Sequence, residues 1–186
     1  MKEEKYTIAV IVGSLRKESL SLKMARFVQS LPCDRIALQL VSIGDLTIYN
    51  EDLETDCPPL SWQHFRQDIL EKDAILFITP EYNRSIPAVL KNAIDIGSAP
   101  HGQNVFANKP AAIISLSPGK MGAFGANHHL RQCLVFLNMP TMQQPEAYIG
   151  DSEDLFDSEG SIQIERTRDY IARFIDAFSD WIAIHR

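Results

Sequence analysis

Asp73-Ala74-Ile75-Leu76-Phe77-Ile78-Thr79-Pro80-Glu81-Tyr82-Asn83-Arg84-Ser85-Ile86-Pro87-Ala88-Val89-Leu90-Lys91-Asn92-Ala93-Ile94-Asp95 reads as a buried strand, a polar turn and a helix. Ala74 to Ile78 is an unbroken apolar run rich in branched and aromatic residues, as expected of a strand covered on both faces. Ser85 is the expected N-cap, and Pro87 falls in the first helical turn, where its missing N–H costs little. Ile86, Leu90, Ala93 and Ile94 then share one helical face. The polar turn Pro80 to Ser85 therefore sits at the carboxyl end of a central strand, the edge where open α/β sheets bind ligands.

Working outward, Thr7 to Val12 is a second buried-strand pattern, followed by Gly13-Ser14-Leu15-Arg16-Lys17-Glu18-Ser19 and a helix that Pro32 closes. That helix offers Leu20, Met24, Phe27, Val28 and Leu31 to a core. Arg35 to Val41 is a less apolar strand, and Ile43 to Pro59 reads as a long acidic surface loop. A helix over Leu60 to Lys72 presents Leu60, Phe65, Ile69 and Leu70. Beyond the central unit, Ala111 to Ser117 is strongly apolar and runs into a glycine-rich turn through Gly125. A helix over Asn127 to Leu137 offers Leu130, Leu134, Val135 and Leu137. Thr141 to Ile149 is a last strand that Pro145 demotes to an edge. An acidic tether, Asp151 to Gly160, precedes a helix whose stripe Ile171, Phe174, Ile175, Phe178, Trp181 and Ile182 reads as core.

Strands alternate with helices, so a parallel βαβ architecture with right-handed crossovers is expected. The first, third and fourth strands are strongly apolar, whereas the second and fifth are mixed. In the flavodoxin-like order 2-1-3-4-5 the former are internal and the latter are edges, so polarity selects that order. The expectation is one domain over residues 1–186: a flavodoxin-like three-layer α/β fold with a five-stranded parallel sheet and helices on both faces.

A chain of 186 residues with 45% apolar content has enough material for one core. Its net charge of −6 gives no long-range attraction for nucleic acid or an anionic membrane, so neither is an expected partner. The Ile8 to Val12 run is too short for a signal h-region or a membrane span. Cys33, Cys57 and Cys133 form no CxxC pair and read as reduced thiols in a cytoplasmic protein.

In the order 2-1-3-4-5 the switch point lies between strands 1 and 3. The first turn brings the hydroxyls of Ser14, Ser19 and Ser21, the Arg16 guanidinium and the free N–H groups of a helix start. Those are the parts of a phosphate cradle, since a helix N-terminus favours an anion by about 0.3–1 kcal/mol, more when partly buried. The plainer reading is that Ser19 caps the helix and Arg16 is a solvated charge. No GxxxxGK[ST] or GxGxxG pattern occurs, so a mononucleotide phosphate fits better than a pyrophosphate. Pro80 to Ser85, with Ser115, Ser117 and Gly119 next door, suits a flat heteroaromatic ring with Tyr82 against it. Alternatively, Glu81 and Asn83 cap the following helix.

These residues carry a resemblance. Gly13-Ser14-Leu15-Arg16 with Ser19, then Thr79-Pro80-Glu81-Tyr82-Asn83, Ser85, Pro87 and Leu90 to Asp95, is similar to the NADPH-dependent FMN reductase family, and within it to bacterial NAD(P)H quinone (chromate) reductases. The likeness runs from about Thr7 to Pro145. It implies bound FMN, its phosphate on Ser14, Arg16, Ser19 and Ser21 and its ring against Glu81, Tyr82, Asn83, Arg84 and Ser117. Leu15, Leu20, Pro80 and Gly119 complete the cofactor-binding set that it implies. It also implies NADPH or NADH as co-substrate, with hydride passing through FMN to quinones, free flavin, azo compounds or metal oxyanions. A homodimer or homotetramer is implied as well, with Arg131 and Glu146 at a subunit contact. Ser21, Arg84 and Ile96 depart from the family's usual Asn, aromatic and Trp, and Arg84 is placed to attract a NADPH phosphate or an anionic acceptor.

No catalytic side chain is expected, because the cofactor carries hydride chemistry and the protein orients it. No metal site is expected either: the adjacent His128 and His129 point about 100° apart on a helix. A flavodoxin-type electron carrier is the main rival. A receiver domain would need acidic residues where Gly13-Ser14 and Pro80 stand, and a low-molecular-weight phosphatase would need a cysteine in the first turn.

Overall fold

The computed structural model describes residues 5–186. Five strands, β1 (Tyr6–Val12), β2 (Ile36–Val41), β3 (Ala74–Thr79), β4 (Ala111–Leu116) and β5 (Ala147–Ile149), form one parallel sheet in the order β2-β1-β3-β4-β5. Between and after them run α1 (Leu20–Ser30), α2 (Leu60–Leu70), α3 (Ala88–Ser98), α4 (Phe124–Phe136) and α5 (Glu165–His185). The fold is flavodoxin-like, as the polarity of the strands requires.

Side-chain alternation along β3 builds both cores at once. Ile75 and Phe77 pack with residues of α2, α3 and α4, among them Phe65, Leu90 and Leu130. Leu76 and Ile78 face the other way, with Met24 and Val28 of α1 and Phe174 and Phe178 of α5. Every β3 and β4 residue is buried, which explains the continuous apolar runs. No helix among the described residues is long and apolar enough to cross a membrane.

Several expectations change. Leu60 and Leu70 of α2 are exposed at 67% and 55%, and the buried face is Trp62, Phe65 and Ile69. Trp62 sets that face: its indole Nε1–H donates to Thr47 O at 3.2 Å and its ring stacks on Tyr49. Val135 of α4 is exposed, whereas Leu130, Leu134 and Leu137 are buried. Trp181 lies at the core's margin and donates through Nε1 to Pro140 O at 2.8 Å. The β2–α2 connection is pinned rather than solvated. Ile43 and Leu46 are buried in it, and Glu54 pairs with Arg66, both side chains largely shielded. The expected tether Asp151 to Gly160 buries Ser152 and Leu155. Of Thr141 to Ile149, only Ala147–Ile149 is a strand, with Thr141 making an isolated bridge to Ala111.

Candidate functional site

The carboxyl ends of β1, β3 and β4 lie side by side, so the turns that follow them meet. Gly13 closes β1 against β3: a Cβ there would come 2.8 Å from Thr79 Oγ1 and 3.3 Å from Leu90 Cδ2. Ser14 Oγ accepts from Arg16 N–H at 3.4 Å, folding the first turn on itself. Ser19 then caps α1, its Oγ accepting from Leu22 N–H at 3.1 Å and its carbonyl from Lys23 N–H at 3.0 Å. Those bonds leave the N–H groups of Leu20 and Ser21 directed out of the helix start, where an anion is favoured. Ser19 and Ser21 are themselves buried, so this end of the site is a shielded one.

After β3, Tyr82 to Ser85 is a tight turn. Tyr82 and Ser85 exchange both backbone hydrogen bonds at 2.9 Å, and Asn83 and Arg84 sit at φ 51° and 63°. Two left-handed central residues define a type I′ turn. Ser85 is therefore part of a hairpin, not the expected N-cap; Pro87 takes that position and α3 starts at Ala88. The Ser85 hydroxyl instead pairs with His129 Nδ1 at 2.6 Å. Glu81 does cap a helix, but α4 rather than the following one: Oε2 accepts from Ala126 N–H at 3.0 Å.

After β4, Ser117 organises the glycine-rich turn, donating to Gly119 O at 3.0 Å and accepting from Ala123 N–H at 3.1 Å. Ser115, expected at the ligand, is buried and structural. Its hydroxyl donates to Gly122 O at 2.8 Å and accepts from Asn127 Nδ2–H at 3.1 Å. Gly122, at φ 57°, passes so close to β5 that a Cβ would lie 2.5 Å from Tyr148 C. Only glycine combines that conformation with that approach.

A cleft of about 110 Å³ joins the three turns. Ser14, Arg16, Ser19, Leu20 and Ser21 line one end, and Pro80, Glu81, Tyr82 and Ser117 the other. Leu116 and Pro118 also line it and were not singled out from sequence, being apolar neighbours of a polar motif. Leu15, Asn83, Arg84 and Gly119 lie on the same turns but outside the lining; Leu15 leans towards Gly44 of the β2–α2 connection. Tyr82 is half exposed at the open end. A larger cavity, about 490 Å³, lies between β5 and the start of α5, beside Glu146, Arg166 and Arg173. Volume alone would favour it, but none of its lining residues comes from the turns after β1, β3 and β4.

His128 and His129 diverge, His128 Nε2 pairing with the Tyr148 hydroxyl at 2.9 Å. Phe124 packs on both His128 and Tyr148, with centroids 4.2 and 5.2 Å away. Burial, then the neighbouring Glu146 carboxylate, push the Tyr148 phenol up to about 12, against the opposing charge of Arg131.

A flavodoxin-like sheet with an anion-seeking helix start and an aromatic turn at its switch point defines a mononucleotide-binding α/β protein. The NADPH-dependent FMN reductase family model matches residues 6–154, and the chain belongs to that family. It is an oxidoreductase whose cofactor is FMN and whose co-substrate is NAD(P)H. The chain is 52% identical to a quinone reductase of Pseudomonas putida, over 97% of each sequence. It is 42% identical to a 2-hydroxy-1,4-benzoquinone reductase of a Burkholderia species, over 96% of this chain and 97% of that one. Among solved structures, FerB from Paracoccus denitrificans, a flavoenzyme NAD(P)H:(acceptor) oxidoreductase, superposes with a TM-score of 0.91 at 44% identity, covering 97% of this chain and 98% of that one.

Proposed function

We propose that the protein is a quinone reductase in which the cleft between the three turns holds FMN. The observation that carries this is the convergence of the α1 N-terminus and the Tyr82 turn on one cleft. Ser14, Arg16, Ser19, Leu20 and Ser21 would take the phosphate, through two helix N–H groups, three hydroxyls and one guanidinium. The enclosed volume of about 110 Å³ is below the usual 300 Å³ or more of a ligand pocket, so it suits the phosphate end. The ring would then lie at the open end against Tyr82, bordered by Pro80, Glu81 and Ser117. That exposure leaves room for a flat acceptor.

FMN held by these residues would supply the hydride and two-electron chemistry between NAD(P)H and the acceptor. The chain's own contribution is orientation. The type I′ turn holds the Tyr82 ring, and Ser117 fixes the loop beside it through its bonds to Gly119 and Ala123. Arg84, with 71% of its side chain exposed, leaves guanidinium N–H groups facing solvent beside the cleft. The exposed face of α4, with Phe136 at 90% and Val135 at 75%, supports self-association as a homodimer or homotetramer. Free thiols at Cys33, Cys57 and Cys133 suit the cytoplasm.

The test is anaerobic mixing of the FMN-loaded protein with NADPH and, separately, NADH. Loss of the yellow absorbance followed by its return on adding 1,4-benzoquinone is expected. Retention of colour with both nicotinamides would make the protein an electron carrier instead. A higher kcat/KM for free flavin, an azo dye or chromate than for quinones would overturn the choice of acceptor.

A further inference from the structure

Glu81 is the one charged side chain in the Tyr82 turn that faces inward, with only 11% of it exposed. Each of its oxygens has a partner. Oε2 accepts from Ala126 N–H at 3.0 Å, and Oε1 accepts from Arg84 Nη1–H at 2.9 Å. Ala126 is the third residue of α4, where an N-cap side chain ordinarily accepts. The residue at the N-cap, Ala123, has no side chain able to do so. A carboxylate from another turn thus closes the helix and meets the positive end of its dipole.

That contact ties the turn after β3 to the start of α4, alongside the Ser85–His129 pair at 2.6 Å and the approach of Arg84 Nη1–H to Met121 Sδ at 3.5 Å. Glu81 belongs to the turn after β3; α4 begins where the turn after β4 ends, and Ser117 ties that second turn to Ala123. Gly125 makes the approach possible. A Cβ there would lie 2.8 Å from Glu81 Oε2 and 3.1 Å from Arg84 O. The hairpin being held is a strained one, with non-glycine residues at φ 51° and 63°, so it needs an external restraint to keep its shape.

We propose that Glu81 is a positioning residue for the reaction: it fastens the Tyr82 turn to α4 and thereby sets the ring end of the FMN cleft, without serving the phosphate end. Gly125 is its steric counterpart. The inference rests on the proposed placement of FMN, and it makes a distinction that a simple helix cap would not. A cap matters to stability alone. A residue that shapes the ring end changes affinity for the ring in protein that is already folded, and changes it equally for FMN and for riboflavin, which lacks the phosphate.

The experiment measures FMN and riboflavin affinity by flavin fluorescence in folded Glu81→Ala, Glu81→Gln, Gly125→Ala and the Glu81→Ala/Gly125→Ala double variant. Glu81→Ala is expected to weaken both ligands by the same factor, about tenfold, the worth of one charge-assisted hydrogen bond. Glu81→Gln keeps one acceptor for Ala126 N–H and should lose less. Gly125→Ala should weaken both ligands in the wild-type background and by a smaller factor once Glu81 is alanine, because the nearer contact has gone and only Arg84 O at 3.1 Å remains. Affinities within twofold of wild type in a folded Glu81→Ala protein, or a larger loss in Glu81→Gln than in Glu81→Ala, would overturn the proposal and leave the function standing. A loss confined to FMN would also overturn it, by moving Glu81's influence to the phosphate end. Wild-type protein that binds neither flavin would remove both readings together.

Discussion

Asn92 on α3 holds Tyr49, 43 residues earlier, by accepting its backbone N–H at 2.7 Å through Oδ1. The same side chain donates through Nδ2 to Thr47 O at 3.0 Å and Leu46 O at 3.3 Å. One buried amide therefore replaces the ladder that the β2–α2 connection lacks, and the connection in turn rests against Leu15 of the first turn through Gly44. Asn92→Ala would leave a donor and two acceptors without that partner, a cost of about 3 kcal/mol. Asn92→Asp should cost at least as much, since it sets a carboxylate oxygen against two carbonyls. Urea unfolding midpoints of the two variants test both statements; an Asp variant closer to wild type than the Ala variant would refute the assignment of the amide.

The same residue marks where reading the sequence stops. Strand polarity gave the sheet order because burial on two faces is written directly into composition, as in Ala74 to Ile78 and Ala111 to Leu116. The two turns at the switch point were legible for a similar reason, their hydroxyls, guanidinium and aromatic ring being concentrated in short segments. Long-range polar ties leave no such trace. Asn92 sits in a helical pattern like any exposed amide, and Glu81 looks like a local cap because its true partner, Ala126, lies 45 residues away. The face of α2 is hidden for a related reason: Trp62 turns inward because Thr47 O, 15 residues earlier, receives its indole N–H, and Leu60 and Leu70 are left outside.

Arg84 occupies a left-handed position, φ 63°, that costs a side-chain-bearing residue roughly 1–2 kcal/mol. Its ion pair with Glu81, open on the arginine side and shielded on the carboxylate side, returns about 1 kcal/mol. Arg84→Gly should therefore stabilise the protein slightly, by at most about 1 kcal/mol, as glycine does at the second central position of a type I′ turn. Arg84→Gln removes the charge and retains the strain, so its melting temperature should not rise. Equal shifts for both variants in thermal unfolding would show that charge, not conformation, governs this position.

At the other end of the cleft, Arg16 adds the cationic side chain to the helix-terminal N–H groups. A hydrogen bond from a guanidinium to a phosphate is worth about 1.5–3 kcal/mol, or roughly 10–100-fold in affinity. Arg16→Ala should weaken FMN by that factor and leave riboflavin binding unchanged. The contrast with Glu81, whose removal should affect both flavins alike, separates the two ends of the site. Equal losses for FMN and riboflavin on removing Arg16 would place the phosphate elsewhere.

Tyr148 offers a test in alkali. Burial and the neighbouring Glu146 carboxylate raise its phenol from an ordinary value of 10.0 to about 12. A phenol raised in the folded state keeps its proton there after the unfolded chain has lost it, so over that interval the unfolded state binds fewer protons. The contribution is complete below about pH 10 and disappears as pH rises through about 12. Tyr148→Phe removes this acid while retaining the ring that packs on Phe124. At neutral pH the variant should lose only the pairing with His128 Nε2, about 1 kcal/mol. Burial also raises Tyr49 and Tyr170, so both proteins should weaken in alkali, but the wild type more steeply. The measurement is denaturant unfolding from pH 9 to 12, read as the difference between the two proteins. A gap that narrows as pH rises supports the buried phenol, because the wild type alone is giving up its proton-linked term. A gap that stays constant would mean that Tyr148 ionises equally in the folded and unfolded states, and that the Phe124–His128–Tyr148 cluster does not shield it.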